Sequence, residues 1–339
     1  MNPDQSSAQS PSLRAGVVGV GSMGENHARV YSELRGAELV GVTDLDDELA
    51  TRVAHEYGTE ALPFDRLCER CDVVTVAVPT AAHHETVSAC LDAGVHVLVE
   101  KPIADTLEAA RDLERRAREA DVVLQVGHIE RFNPAVETLA SLLDDLDVIA
   151  VEAERVGPPV DRCGDDGVVL DLMIHDVDVV RSLLAAEPTA ITAMGAADGE
   201  YATAKLEYPD GVIASFTASR VTQKKIRRLT VTARECLVEV DYLEGSVLIH
   251  RDSFPAYVTD DGRNRYRHES VVERPRVDNG EPLRRELEAF LEAARTGTEP
   301  VVPAADGIRA LETVQAIDRL VADDRTHVAS KAELEVRSR

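Results

Sequence analysis

Val17-Val18-Gly19-Val20-Gly21-Ser22-Met23-Gly24-Glu25-Asn26-His27 is the stretch that decides how the rest of this chain folds. A short β-branched strand ends at its first glycine and a helix opens near its last. In that setting a G-x-G-x-x-G pattern marks a dinucleotide-binding turn rather than a chance cluster. Gly19 serves the tight turn, Gly21 lets backbone amides approach a pyrophosphate, and Gly24 lets helix and strand pack closely. Ser22 and Met23 lie between them, at a helix N-terminus that faces the phosphates.

The second half of this pattern is an acidic residue closing the next strand. Leu39 to Thr43 reads as that strand and Asp44 follows it, 44 − 24 = 20 residues past the last glycine. A carboxylate there accepts hydrogen bonds from the adenosine ribose. A 2′-phosphate about 4 Å away would be repelled by roughly 4 kcal/mol per unit charge at an effective dielectric near 20. No Arg follows closely, and Asp46 and Asp47 add negative charge, so the expected cofactor is NAD rather than NADP. The alternative for Asp44 is a plain helix cap.

From this turn outward, near-continuous apolar runs at Ala15 to Val18, Leu39 to Thr43, Val73 to Val78, Val95 to Val99 and Val122 to Val126 alternate with helical stretches. Such strands belong to a parallel sheet buried on both faces, and ligands bind beyond its carboxyl ends. Functional candidates cluster there: Gly19 to Gly24, Asp44, Pro79, Thr80 and His83, Glu100 to Pro102, and His128 to Asn133. Past Asn133 the pattern changes to helices near Ala135 to Leu143 and Val168 to Leu184, a strand near Val148 to Val156, and alternating segments up to Val258. Helices near Arg284 to Ala294 and Asp306 to Ala322 close the chain. The expected fold is α/β followed by α+β. A doubly wound parallel Rossmann sheet over 13–128 precedes an α+β domain with a mostly antiparallel open sheet over 129–325, with a disordered tail over 1–12 and a closing tail over 326–339.

Composition narrows the partners. With 62 acidic and 37 basic residues the net charge is −25, so nucleic acid and anionic membrane surfaces are repelled. Excess carboxylate, only five Lys and no Trp resemble proteins of salt-rich cytoplasm, where screening tolerates self-repulsion. The first residues lack the basic start and apolar core of a signal peptide, and no run is long enough to span a membrane, so a cytoplasmic location is expected. Five cysteines, scattered apart from Cys68-x-x-Cys71, read as reduced thiols rather than metal ligands, and no metal is expected.

Among the candidates for chemistry, Lys101 in Glu100-Lys101-Pro102 ends a buried strand and is one of the five lysines in an Arg-rich chain. An ammonium loses its proton near neutrality when partly desolvated and a guanidinium does not. The bland alternative is a surface Lys before a turn. Asp171 and His175 stand four apart in an apolar helical run, the spacing that puts a carboxylate beside an imidazole able to take a hydroxyl proton. Asp178 continues the stripe. His83 is expected to line the nicotinamide pocket and His27 to pack within its helix. Arg131 and Asn133 are candidates for binding substrate or for a structural role at the domain junction. Arg155, Arg162, Lys224, Lys225 and Arg227 suit a phosphorylated ligand or an ordinary salt-bridged edge.

Taken together, Gly19-x-Gly21-x-x-Gly24, Glu100-Lys101-Pro102 and Asp171-x-x-x-His175 resemble the glucose-fructose oxidoreductase, inositol dehydrogenase and MocA family over about 13–322. The resemblance implies a Rossmann domain and an α+β domain whose sheet mediates a homodimer or homotetramer. It also implies oxidation of a sugar or cyclitol hydroxyl by NAD(P), with Lys101, Asp171 and His175 at the catalytic positions and a cis Lys101-Pro102 bond. Val126 to Pro134, Arg155 to Pro158, Lys224 to Arg227 and Glu281 to Leu283 are similar to the subgroup oxidising C3 of UDP-N-acetylglucosamine or its uronic acid. Met173 and Thr80 depart from the wider family's Gly and Asn. A dehydrogenase of a free sugar, sugar phosphate or inositol, and a noncatalytic NAD-binding regulator, are the rival readings. The roles of Lys101 and His175 as proton acceptor are interchangeable at this stage.

Overall fold

Four consecutive buried residues, Val73 to Val76, form the shortest expression of the rule that a strand covered on both faces is apolar throughout. That strand is the centre of the first sheet. The computed structural model describes residues 12–159, 167–252, 256–260, 263–267, 270–322 and 329–330. The expected first tail (apart from residue 12), nearly all of the second, Arg162, Cys163 and Lys331 lie outside the described residues. The chain forms two compact units, Met1–His128 with Leu283–Ile308, and Ile129–Pro282 with Arg309–Arg339.

In the first unit, β1 (Leu13–Val18), β2 (Ala37–Thr43), β3 (Val73–Val76), β4 (His96–Glu100) and β5 (Leu124–Gly127) are all parallel, in the order β2-β1-β3-β4-β5. The helices between them are α1 (Ser22–Glu33), α2 (Asp47–Glu56), α3 (Phe64–Arg70), α4 (His83–Asp92) and α5 (Leu107–Ala120). The strand order reverses at β1, with β2 on one side and β3 on the other, so the crevice that binds ligands in open α/β sheets opens at the ends of β1 and β3. Local capping fixes the helix starts. Asp46 accepts from the amides of Glu48 and Leu49 to open α2, and Thr106 accepts from Ala109 to open α5.

The second unit contains α6 (Pro134–Leu143), β6 (Val148–Val156), α7 (Ile174–Leu184), β7 (Ala190–Ala196), β8 (Tyr201–Glu207), β9 (Ile213–Ser219), β10 (Ile226–Ala233), β11 (Leu237–Asp241), β12 (Ser246–Asp252), β13 (Ala256–Asp260), β14 (Arg263–Arg267) and β15 (Ser270–Glu273). Next come α8 (Pro282–Thr296), which belongs with the first unit, then α9 (Ala304–Ala322) and β16 (Ala329–Ser330). Nine strands pair as β15-β12-β11-β10-β6-β9-β8-β7-β16, antiparallel except for β6 beside β9, while β13 and β14 form a separate hairpin. The helices α6 and α7 pack on one face, α6 over β11 and β12 and α7 over β6 and β9. This gives the alternating burial of β8 to β11.

One expected element differs. The helix read as starting at Val168 opens with a π-helical turn over Val169–Met173 before regular α7 begins. A π turn takes more residues per revolution than an α turn. Asp171 and His175 are therefore not related by the regular helical step that their spacing suggested, and Asp171 in this wide turn accepts a bond described below.

Candidate active site

Each glycine of the nucleotide turn has a different steric reason. Gly19 has φ +81, and a Cβ there would sit 2.8 Å from the Ala77 carbonyl oxygen, so this residue lets the β1 and β3 ends approach. At Gly24 a Cβ would fall 1.8 Å from the Gly19 carbonyl oxygen, so α1 packs directly on the turn. At Gly21 a Cβ would meet no protein atom within 4 Å, and the helix N-cap it forms carries no side-chain bond. Ser22 and Met23 start α1 at this open end. A helix N-terminus with uncapped amides facing open space is a ready anion cradle.

Asp44 follows β2 as the sequence reading requires. Its Oδ2 accepts from the Val20 amide at 2.7 Å and its Oδ1 from the Asp46 amide at 3.0 Å, tying the end of β2 to the glycine turn. Capping of α2 falls to Asp46, so Asp44 is not the helix cap, and its oxygens keep lone pairs for further donors. Leu45, which sequence reasoning passed over, is fully exposed beside it.

The Glu100-Lys101-Pro102 segment leaves β4 through a cis Lys101–Pro102 bond. Glu100 is buried. Its Oε1 accepts from His27 Nε2 on α1 at 2.9 Å and its Oε2 from the Lys101 amide at 3.2 Å. Burial raises the Glu100 carboxyl, but the His27 hydrogen bond and the nearby His27 and Lys101 charges outweigh it and hold Glu100 below the ordinary range. Gly127 on β5 makes room for this side chain, since a Cβ there would stand 3.2 Å from it. Glu286 of α8 is fully buried on the same side with neither oxygen hydrogen-bonded, and its backbone oxygen accepts from Gln125 at 3.4 Å. Burial first, then Glu100, raises the Glu286 carboxyl well above its usual value.

The expected nicotinamide-facing cluster after β3 is arranged differently. Pro79 is exposed and Thr80 opens a short 3-10 turn. His83 is 1% exposed, with Nδ1 2.8 Å from the Pro102 carbonyl oxygen and Nε2 2.9 Å from that of Val78. Both ring nitrogens are thus engaged by the chain itself rather than presented to a ligand.

In the second unit, Asp171 Oδ2 accepts from Arg220 at 2.6 Å, just past the end of β9. His175 is partly buried near the start of α7. Further along that helix the carboxylates are structural: Asp178 pairs with Arg131 at 3.0 Å, and Asp176 takes a bidentate grip on Arg155 at 2.7 and 2.9 Å. Arg155 also donates to Glu130 at 2.8 Å and lies over the Tyr242 ring at 5.3 Å. Burial opposes its charge, but Asp176 and Glu130 more than offset that, and Arg155 stays cationic. Asn133 caps α6 through Ala135 and donates to Glu130. Arg155 and Asn133, expected as substrate ligands, are therefore spent on internal bonds, because a buried guanidinium must be paired. The residue that sequence reasoning missed is Arg220. Its only local signal was a cation at the end of an alternating strand.

No described helix is long and apolar enough to cross a membrane, and no group of three or more metal-ligating side chains occurs among the described residues.

Comparison with known proteins adds to this geometry. Residues 13–128 match the family described as "Oxidoreductase family, NAD-binding Rossmann fold", and residues 152–238 match the GFO/IDH/MocA C-terminal domain. A UDP-N-acetylglucosamine 3-dehydrogenase of Acidithiobacillus ferrooxidans is 36% identical over 243 residues, covering 70% of this chain and 77% of that protein. An inositol 2-dehydrogenase of Rhizobium meliloti is 29% identical over 330 residues, covering 92% and 98%. A solved structure of the Acidithiobacillus enzyme superposes with a TM-score of 0.84 at 31% identity, over 92% of this chain and 98% of that one.

Proposed function

Since the chain belongs to the glucose-fructose oxidoreductase, inositol dehydrogenase and MocA family of oxidoreductases, we propose that it oxidises a sugar hydroxyl to a ketone with NAD, and that this hydroxyl is C3 of UDP-N-acetylglucosamine or its uronic acid. The single observation that carries the substrate is the 36% identity to a UDP-N-acetylglucosamine 3-dehydrogenase.

The turn at Gly21 fits the cofactor, because the space a Cβ would fill there is open and the first amides of α1 carry no side-chain cap. The amides of Gly21 to Met23 would hold the pyrophosphate, Asp44 the adenosine ribose, and Leu45 would offer adenine an apolar face. The negative charges of Asp44, Asp46 and Asp47 select against a 2′-phosphate, which favours NAD over NADP. When bound, NAD supplies the acceptor for the hydride.

The protein's part is to move the hydroxyl proton and hold charge. In this proposal His175 takes the proton, Asp171, fixed by Arg220, keeps a negative charge by that imidazole, and Lys101 donates a hydrogen bond to the oxygen that becomes the ketone. Glu100 holds the Lys101 backbone from below. Loss of a general base costs on the order of 10² to 10⁴ in rate. His175→Ala and Lys101→Met should each lose kcat on that scale, and the double variant should lose less than the product if both act at one hydroxyl. Additive losses would separate the two roles.

A second reading has its own support: the inositol 2-dehydrogenase match covers 92% of the chain, which favours a cyclic polyol. Offering UDP-N-acetylglucosamine, its uronic acid, inositol and glucose phosphates separately with NAD, and following reduced nicotinamide, decides between them. Tight NAD binding without turnover on any of these would overturn the enzymatic reading in favour of a regulator. The sheet face opposite α6 and α7 exposes Met194 and Ile213 and fits self-association into a dimer or tetramer, which light scattering measures.

A further inference from the structure

The imidazole of His83 spans two carbonyl oxygens from different segments. Val78 O closes the loop after β3, and Pro102 O closes the turn that carries Lys101, at 2.9 and 2.8 Å from the two ring nitrogens. We infer that His83 is the positioning residue of the Lys101 turn, a clamp that ties this turn to the loop after β3 at the sheet's crevice. The inference rests on the reading of Lys101 given above.

The chemistry of the clamp follows from what its partners are able to do. A carbonyl oxygen only accepts, and a neutral imidazole has one N–H. Both contacts are hydrogen bonds only when both nitrogens carry hydrogen, as in the imidazolium. With one hydrogen the ring holds one segment and turns a lone pair toward the other. His83 is 1% exposed, and burial pushes its protonation below the ordinary histidine range, opposed by the carbonyls of Pro102 and Val78 and by Glu100. The charged group facing it is Glu100 at the end of β4, itself bonded to His27 of α1. On its own helix the adjacent His84 pairs with Asp112 of α5, and both lie at least partly open to solvent. The clamp is therefore double on the acid side of the His83 transition and single above it.

The side chain reaches no ligand, so its effect on rate runs through the placement of Lys101. A displacement near 1 Å at a catalytic group costs about 10²-fold. His83→Leu should lower kcat by that order while leaving NAD affinity unchanged, which also shows that the variant folds. His83→Gln, whose amide donates at any pH, should regain part of that loss. The ratio of wild-type to His83→Gln kcat should rise as pH falls through the midpoint at which the two His83 ring ¹⁵N signals converge toward their imidazolium positions. The nuclear magnetic resonance arm needs no turnover, so it separates the two readings. Normal turnover by Lys101→Met would remove the catalytic role of Lys101, whereas a His83 ring that stays neutral down to acid unfolding would overturn the clamp. A kcat ratio that is flat with pH would overturn it as well.

Discussion

Glu286→Gln should make the protein more stable, by an amount that grows with pH. Glu286 is fully buried in the first unit, neither carboxyl oxygen has a hydrogen-bond partner, and Glu100 adds a like charge. Among the described residues around it, Tyr31 of α1 bonds Thr75 and the Gln125 side chain of β5 bonds the Glu286 backbone oxygen, and none hydrogen-bonds the Glu286 carboxylate. The folded-state carboxyl is raised well above the unfolded one. Below the unfolded value, near 4.3, both states are protonated and the group costs nothing extra. As pH rises the unfolded state releases its proton first, so folding comes to require proton retention and stability falls by about 1.4 kcal/mol per pH unit until the folded carboxyl ionises. Each pH unit over which only the unfolded state is ionised therefore takes a visible share of a typical folding free energy of roughly 5 to 15 kcal/mol. Glutamine keeps the shape and cannot ionise. The assay is urea denaturation followed by circular dichroism, in constant molar salt, at a series of pH values from about 4 to 8. The wild type and the variant should nearly coincide at the acid end and separate steadily above it. A difference that does not change with pH, or a variant less stable throughout, would show that Glu286 carries no burial penalty.

Other perturbations follow from the same geometry. Gly21→Ala should fold normally and lose NAD binding, since the new methyl meets only open space, whereas Gly24→Ala should also lower the melting temperature because its methyl falls 1.8 Å from the Gly19 carbonyl oxygen. Asp44→Ala removes a charged acceptor from the cofactor's ribose and should weaken NAD by about tenfold or more while narrowing the preference over NADP, as titration calorimetry would report. Arg155→Met leaves Asp176 and Glu130 without their cation and should cost about 3 to 5 kcal/mol of stability, with no selective change in substrate KM. With a net charge of −25, the melting temperature should rise from low to molar salt, and a fall would count against a salt-adapted surface.

The parts of this molecule that the sequence reveals are those governed by neighbours in the chain. The glycine turn, Asp44 and the apolar strands are local patterns, and the structure puts each of them in the expected sheet. Even the division of labour between Asp44 and Asp46 lies within three residues. What could not be read is set by partners far away in sequence. Arg155 suited either a phosphorylated ligand or a salt-bridged edge, and only Asp176 and Glu130, distant in sequence, show it enclosed; Asn133 suited either substrate or a structural role, and it caps α6. Helical spacing put Asp171 and His175 on one face, but the π-helical turn changes their relation, and Arg220, 49 residues on, is the cation that Asp171 meets. Glu286 is a further case: its amphipathic helix gave no sign that one carboxylate would be buried against the Rossmann sheet.

In the proposed reaction hydride leaves a sugar carbon for NAD. UDP-N-acetylglucosamine carrying deuterium at C3, incubated with the enzyme and NAD in high salt, tests this through the mass of the nicotinamide formed. Reduced cofactor carrying the deuterium and a ketone at C3 are expected. Reduced cofactor without deuterium, or no reduced cofactor at all from a protein that binds NAD, would contradict the proposed reaction.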